Sequence, residues 1–274
     1  MTVLPDPPGR ILFLCRDLER VKAQIKGADF ALVQIDDLRD DISTDEITPV
    51  AILSHFDGKL ARYPYTGFTA GGLRPVGVDA VRQGNFSVTV AGQRYGKGSS
   101  REHSPMAEKL AGIRLVVARS FERIYRQNAD NIGLFTSTDF GLIERIQRGE
   151  TISVDELVKD REPLAAAILR SGGLLKFGQV HLPPAVGIEA TQNTPPRHAQ
   201  SKPQSPAESR PQTLFEKIIQ RSRLAWPDEG AAHAIAEPGA GVFVQAHWRF
   251  IHEYYTGMCA HMLGETFGKA DSAG

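Results

Sequence analysis

Cysteine is nearly missing: the 274 residues hold two, Cys15 and Cys259. With no Cys-x-x-Cys spacing they exclude a disulfide framework and suggest neither structural zinc nor a redox pair, so a reducing, cytoplasmic setting is expected. An excess of charge of either sign is missing as well. Lys plus Arg and Asp plus Glu each number 32, which leaves no global field to draw the chain to nucleic acid or an anionic membrane. No basic stripe with interleaved aromatics stands in for one, and no nucleic-acid partner is expected. Long apolar runs are absent too: nothing nears the ~18 residues of a membrane span, and Met1 to Gly9 has no basic stretch followed by an apolar one. The chain reads as soluble and unexported. The eight histidines fall in no metal-ligand spacing, so no metal site is expected here. Gly96-Lys-Gly-Ser-Ser100 lacks the Walker order and Gly71 to Gly77 lacks the dinucleotide-binding order, so no nucleotide site is indicated.

What is present is ordinary globular sequence, 41% hydrophobic and 23% charged. Residues 191–212 contain five prolines and no large apolar side chain, a composition that cannot offset its ordering entropy by burial, and they read as a disordered linker. The linker separates a body, residues 1–190, from a short tail, residues 213–274. In the body, Ile11 to Cys15, Ala31 to Ile35, Phe86 to Val90 and Arg114 to Ala118 read as strands. Helical spacing covers Asp17 to Ile25, Glu102 to Leu110 and Phe121 to Asn128. That alternation predicts an α/β domain. Asp57 to Gly84, with six glycines and two prolines, reads as a long loop, of a length that is often functional. The tail predicts a helix from Thr213 to about Leu224, a strand over Gly241 to Ala246 and a helix from Phe250 to Leu263, a short α/β piece.

The densest polar cluster is Tyr95-Gly-Lys-Gly-Ser-Ser-Arg-Glu-His103, between a predicted strand and a predicted helix. Gly96 and Gly98 allow a sharp turn and close backbone approach. The N–H groups of a helix start and the Arg101 guanidinium can receive a carboxylate, and Ser99 and Ser100 put two hydroxyls in the same turn. Against this, Ser99-x-x-Glu102 also fits a capping box, which only satisfies helical N–H groups, and spacing alone gives even odds. The same pattern recurs at Ser43–Glu46, Ser153–Glu156 and Thr213–Glu216. A cap has no need of Gly-x-Gly, a second serine and a neighbouring arginine and histidine. Asp40 to Pro49 concentrates carboxylates and hydroxyls, and composition alone favours a solvated turn there.

These segments resemble the aconitase superfamily. Residues 95–105, YGKGSSREHSP, are similar to the signature of its small subunit or C-terminal domain. ISTDEITP at 42–49 resembles its Thr-Asp-His-Ile-x-Pro turn, and residues 118–135 its Ser-Phe-x-x-Ile segment. TLFEKII at 213–219 and residues 247–263 look like the start of the large subunit, which would make the tail a truncated beginning of that domain. The resemblance implies a swivelling β/β/α domain of the aconitase C-terminal or isopropylmalate dehydratase small-subunit type. It implies a hydro-lyase acting on a hydroxy polycarboxylic acid such as isopropylmalate, a related alkylmalate or citrate. It implies Ser99 as base, Asp45 as an active-site aspartate, and Ser100 and Arg101 as substrate contacts with the Gly98 turn. It also implies a 4Fe–4S cluster on a missing or separate large subunit, without which this part would be inactive. Two departures stand out: Glu46 replaces the family's histidine, and Asp57 falls where aconitases place a substrate-binding arginine. Lys59, Arg62 or Arg74 could supply that cation. The competing expectation is a non-catalytic remnant or anion-binding module.

Overall fold

Four segments become strands: Arg10–Phe13 (β1), Phe86–Ala91 (β2), Leu115–Ala118 (β3) and Phe135–Ser137 (β4). They pair in that order, every neighbour parallel. All residues of β2 and β3 are buried. Parallel strands covered on both faces favour apolar side chains on both, which is why β3 reads as an unbroken run, while β2 also buries Ser87 and Thr89. The computed structural model describes residues 3–4, 9–69, 72–99, 101–181, 211–224, 238–239, 241–246, 250 and 253–268.

Helices fill the connections. Leu18–Ile25 (α1) starts on Asp17, whose carboxylate accepts the Glu19 N–H at 2.9 Å. Thr44–Ile47 (α2) and Ala80–Gln83 (α3) are single turns. His103–Leu110 (α4) joins β2 to β3, and Arg123–Ile132 (α5) joins β3 to β4. Helix α5 ends on Gly133 at φ 76°, the left-handed cap that glycine adopts without steric cost. Gly141–Gln147 (α6), Val154–Val158 (α7), Pro163–Arg170 (α8) and Leu174–His181 (α9) follow. In α8, Pro163 occupies the first turn, where its missing N–H costs nothing.

The α/β alternation is as expected, with one correction. Ala31 to Ile35 is not a strand: Leu32–Gln34 is a 3-10 turn, and Val33 is 92% exposed. The Gln34 side chain accepts the Ala31 N–H at 2.7 Å, a local bond that competes with sheet pairing. The long loop is also more ordered than its composition suggests, carrying the 3-10 segment Gly58–Arg62 as well as α3. Beside the parallel sheet lies a second layer of isolated bridges, Cys15 with Leu38, Ser43 with Lys97 and Tyr95 with Phe121.

The chain divides into two compact units, Met1–Phe177 with Ile251–Gly274, and Gly178–Phe250. The second unit holds Leu214–Ser222 (α10), opened by a capping box between Thr213 and Glu216, and an antiparallel pair, Arg223–Leu224 (β5) with Phe243–Val244 (β6). Glu253–Phe267 (α11) falls with the first unit, where the His261 and Phe56 rings lie 5.4 Å apart. Most of the expected linker, residues 191–210, lies outside the described residues.

Candidate active site

Three segments distant in sequence lie side by side. The Gly96 and Lys97 N–H groups donate to the Ile42 carbonyl at 2.9 and 3.0 Å, and the Thr44 N–H donates to the Lys97 carbonyl at 2.8 Å. On the other side the Tyr95 N–H donates to the Ser120 carbonyl at 3.0 Å, and the Glu122 N–H to the Tyr95 carbonyl at 2.9 Å. Residues 95–97 are therefore the middle strand of a small polar layer. It follows the carboxyl ends of β2 and β3, the edge at which open α/β sheets receive ligands. A brace fixes its approach: Asp40 Oδ1 accepts the Gln93 N–H at 2.7 Å, and Asp41 takes two bonds from Arg94. Those Arg94 hydrogen bonds hold the Asp41 carboxyl below the usual carboxylate range.

The turn itself requires its glycines. Gly96 and Gly98 sit at φ 81° and 117°. A Cβ on Gly96 would stand 2.3 Å from Tyr125 Cβ, so the backbone rests directly on that residue. Thr44 Oγ1 donates to the Ser99 carbonyl at 3.3 Å, and Ser104 Oγ to the Thr44 carbonyl at 3.1 Å. These bonds leave the Ser99 side chain exposed at the crest of the turn.

The capping alternative is resolved by comparing the four Ser/Thr-x-x-Glu patterns. Ser43 and Thr213 form reciprocal boxes with Glu46 and Glu216, and Ser153 accepts the Glu156 N–H. Helix α4, in contrast, begins after Glu102 with no side-chain cap. Among the described residues, no hydrogen bond is donated by the N–H of Ser99, Arg101, Glu102 or His103. A hydroxyl that caps no helix, next to N–H donors with no acceptor among the described residues, is the arrangement an anion fills.

Arg101 and Asp45 meet in an ion pair, with the arginine side chain 15% and the aspartate 59% exposed. The structure thus brings together Ser99, Gly98, Arg101 and Asp45, while Ser100 lies outside the described residues. Glu46, in place of the family's histidine, is occupied: it closes the Ser43 box and pairs with Arg39 at 2.7 Å. Asp57 accepts the Lys59 N–H at 2.9 Å. Of the three candidate cations, Arg62 is held by Asp79 at 3.0 Å and Lys59 lies 3.9 Å from Asp57. Arg74 is exposed and has no ion-pair partner among the described residues. Burial pushes the Glu102 carboxyl up and pulls the neighbouring His103 imidazole down.

Sequence reasoning missed the layer directly beneath. Glu108 is fully buried on α4; its Oε1 accepts the hydroxyls of Tyr65 at 2.5 Å and Tyr95 at 2.6 Å, and its Oε2 that of Tyr125 at 2.5 Å. The Tyr65 hydroxyl also bonds Thr89 Oγ1 on β2 at 2.8 Å. Burial pushes the Glu108 carboxyl up to about 7, with the phenol hydrogen bonds opposing the rise. A signal did exist in the sequence: Ser104, Ala107, Glu108 and Ala111 share the helical face that packs inward, and a carboxylate there is unusual.

Comparison with known proteins gives a consistent set. The family model described as the aconitase C-terminal domain matches residues 78–138. The 3-isopropylmalate dehydratase small subunit of Syntrophus aciditrophicus is 38% identical over 117 residues, 42% of this chain and 67% of that protein. The small subunit of Caldicellulosiruptor saccharolyticus is 35% identical over 153 residues, covering 50% of this chain and 84% of its own length. That of a Hydrogenobaculum species is 31% identical over 163 residues, covering 53% and 93%. Among solved structures, a 3-isopropylmalate dehydratase from Methanocaldococcus jannaschii aligns at 30% identity and a TM-score of 0.37, covering 52% of this chain and 88% of that one.

Proposed function

The chain belongs to the 3-isopropylmalate dehydratase small-subunit family, aconitase-type hydro-lyases, and we propose that it forms the substrate-binding, swivelling half of a dehydratase for a hydroxy polycarboxylic acid. The observation that carries this reading is the convergence of the three motif segments on one exposed turn, where Ser99 caps no helix and Arg101 lies beside Asp45. Isopropylmalate is the first substrate to consider, since it is the one in the relatives' names; alkylmalates and citrate share its vicinal carboxylates. Residues 1–190 would be the swivel domain.

The described residues offer no site for an iron–sulfur cluster. Among the described residues no three His, Cys, Asp or Glu side chains gather to hold a metal. Cys15 is buried, and burial pushes its thiol up to about 12. The reading therefore assigns the cluster to a separate large subunit and leaves to this chain the groups that hold the substrate and move its proton.

A substrate carboxylate enters the turn by displacing Asp45 from Arg101, and the freed guanidinium grips it with two parallel bonds, which also fixes its orientation. The N–H groups of residues 99 and 101–103, which have no acceptor among the described residues, add donors. Ser99 then faces the carbon next to the carboxylate and removes its proton as the C–O bond on the adjacent carbon breaks and its hydroxyl leaves as water, a departure for which a cluster on the large subunit would supply the Lewis acid. A serine hydroxyl is too weak a base unaided, so its alkoxide depends on those N–H donors, the α4 N-terminus and the adjacent cation. Arg74 would meet a second carboxylate or the substrate's side group; Arg62 can do so only by releasing Asp79.

The test is formation of the unsaturated acid by the purified chain, followed by ultraviolet absorbance, with and without a reconstituted cluster-bearing large subunit. Turnover only with the partner, reduced roughly a thousandfold or more by Ser99→Ala, is the expected result. Isopropylmalate binding without turnover in either condition would replace it with the anion-binding module.

A further inference from the structure

The polar layer that presents Ser99 rests on a buried acid. Each hydroxyl that Glu108 accepts comes from a different segment of the site. Tyr65 leaves the long loop where its own N–H donates to the Ile47 carbonyl at 2.8 Å, tying it to residues 42–49. Tyr95 is the first residue of the glycine turn. Tyr125 lies on α5, just past Ser120 and Phe121, and is the residue against which Gly96 is pressed. The three rings and the acid are fully buried, and Tyr95 stands edge-on to Tyr125 at 5.0 Å between centroids.

A packed apolar core would hold these segments together at lower desolvation cost than a carboxylate does. What an apolar core lacks is direction. Oε1 and Oε2 accept from defined sides, so each phenol is fixed in position as well as buried. We infer that Glu108 is a positioning residue for the glycine turn: by accepting Tyr65, Tyr95 and Tyr125 at once it sets where Gly96 to His103 stands, and with it Ser99 and Arg101. It touches neither substrate nor reacting atoms. This deepens the reading of the turn as a dehydratase site and rests on it for its consequence in catalysis.

The experiment follows amide hydrogen exchange of residues 95–103 in the full-length chain, with α1 as internal control, for Glu108→Leu, Glu108→Gln and Tyr125→Phe. Losing the buried acceptor of three phenol hydroxyls should speed exchange of the turn about tenfold or more in Glu108→Leu, while exchange of α1 keeps its wild-type rate. Glu108→Gln keeps one acceptor oxygen for Tyr65 and Tyr95 and should fall between, with Tyr125→Phe beside it. In the complex with the large subunit, kcat should fall in the same order, with KM moving less. Unchanged exchange at 95–103, or an equal rise in α1, overturns the inference, because Glu108 would then serve only global stability. If Glu108→Leu does not fold, the other two variants, each losing one of the three bonds, decide by the same comparison. An inactive wild-type complex whose turn still responds to these substitutions would refute the dehydratase reading and leave the positioning role standing.

Discussion

Glu108 shows how much a single buried group couples to its surroundings. Burial raises its carboxyl from 4.5 to about 7. Below pH 4.5 the acid is neutral whether folded or not, and its contribution to stability is fully present. As pH rises, the unfolded chain ionises first, so that contribution is lost progressively and levels off above about 7. The shift corresponds to a loss on the order of 3 kcal/mol. Urea midpoints should therefore decline more between pH 5 and pH 8 in the wild-type chain than in Glu108→Gln, which cannot titrate; parallel declines would contradict the assignment. Gly96 gives a second residue-scale test. A methyl group at φ 81° against Tyr125 should destabilise the chain by roughly 2 kcal/mol or more, measurable by thermal melt. The glycine was legible as a turn former from Gly-x-Gly alone. The ring it touches was not, because Tyr125 is 29 residues away and only the fold brings it close.

At the scale of elements, helix starts separate structure from chemistry. Four Ser/Thr-x-x-Glu patterns look alike in sequence; three supply a helix N-terminus and the one at Ser99 does not. Ser43→Ala should remove the α2 cap and cost about 1 kcal/mol, seen as a melting temperature lower by roughly 2–4 °C. Ser99→Ala should leave the melting temperature unchanged, since its hydroxyl accepts no N–H among the described residues. A comparable loss in both would restore the capping interpretation of Ser99. Strand β3 was readable as an apolar run because both its faces are covered, and β1 and β2 from their β-branched and aromatic residues. Ala31 to Ile35 misled for a physical reason: a short apolar run carries no record of whether a partner strand exists. There the Gln34 side chain satisfied the backbone instead.

For the whole molecule, the parallel sheet with its flanking helices forms the core of the first unit, and no described helix is long and apolar enough to cross a membrane. If residues 1–190 are an independent domain, a chain ending at Ala190 should still melt in one cooperative transition, within about 5 °C of the full-length chain. A broad, non-cooperative melt would show that α11 or the second unit is needed for folding. The sequence by itself determined the α/β class and the three motif segments, because propensity and periodicity act within a few residues of one another. Only the tertiary structure decided which serine is free of a cap, that Arg101 meets Asp45, that Arg62 is already engaged by Asp79, and that Glu108 gathers three tyrosines beneath the turn. Those outcomes depend on hydrogen bonds and burial between residues far apart in the chain, and such pairings are set by how the sheet folds the chain back on itself.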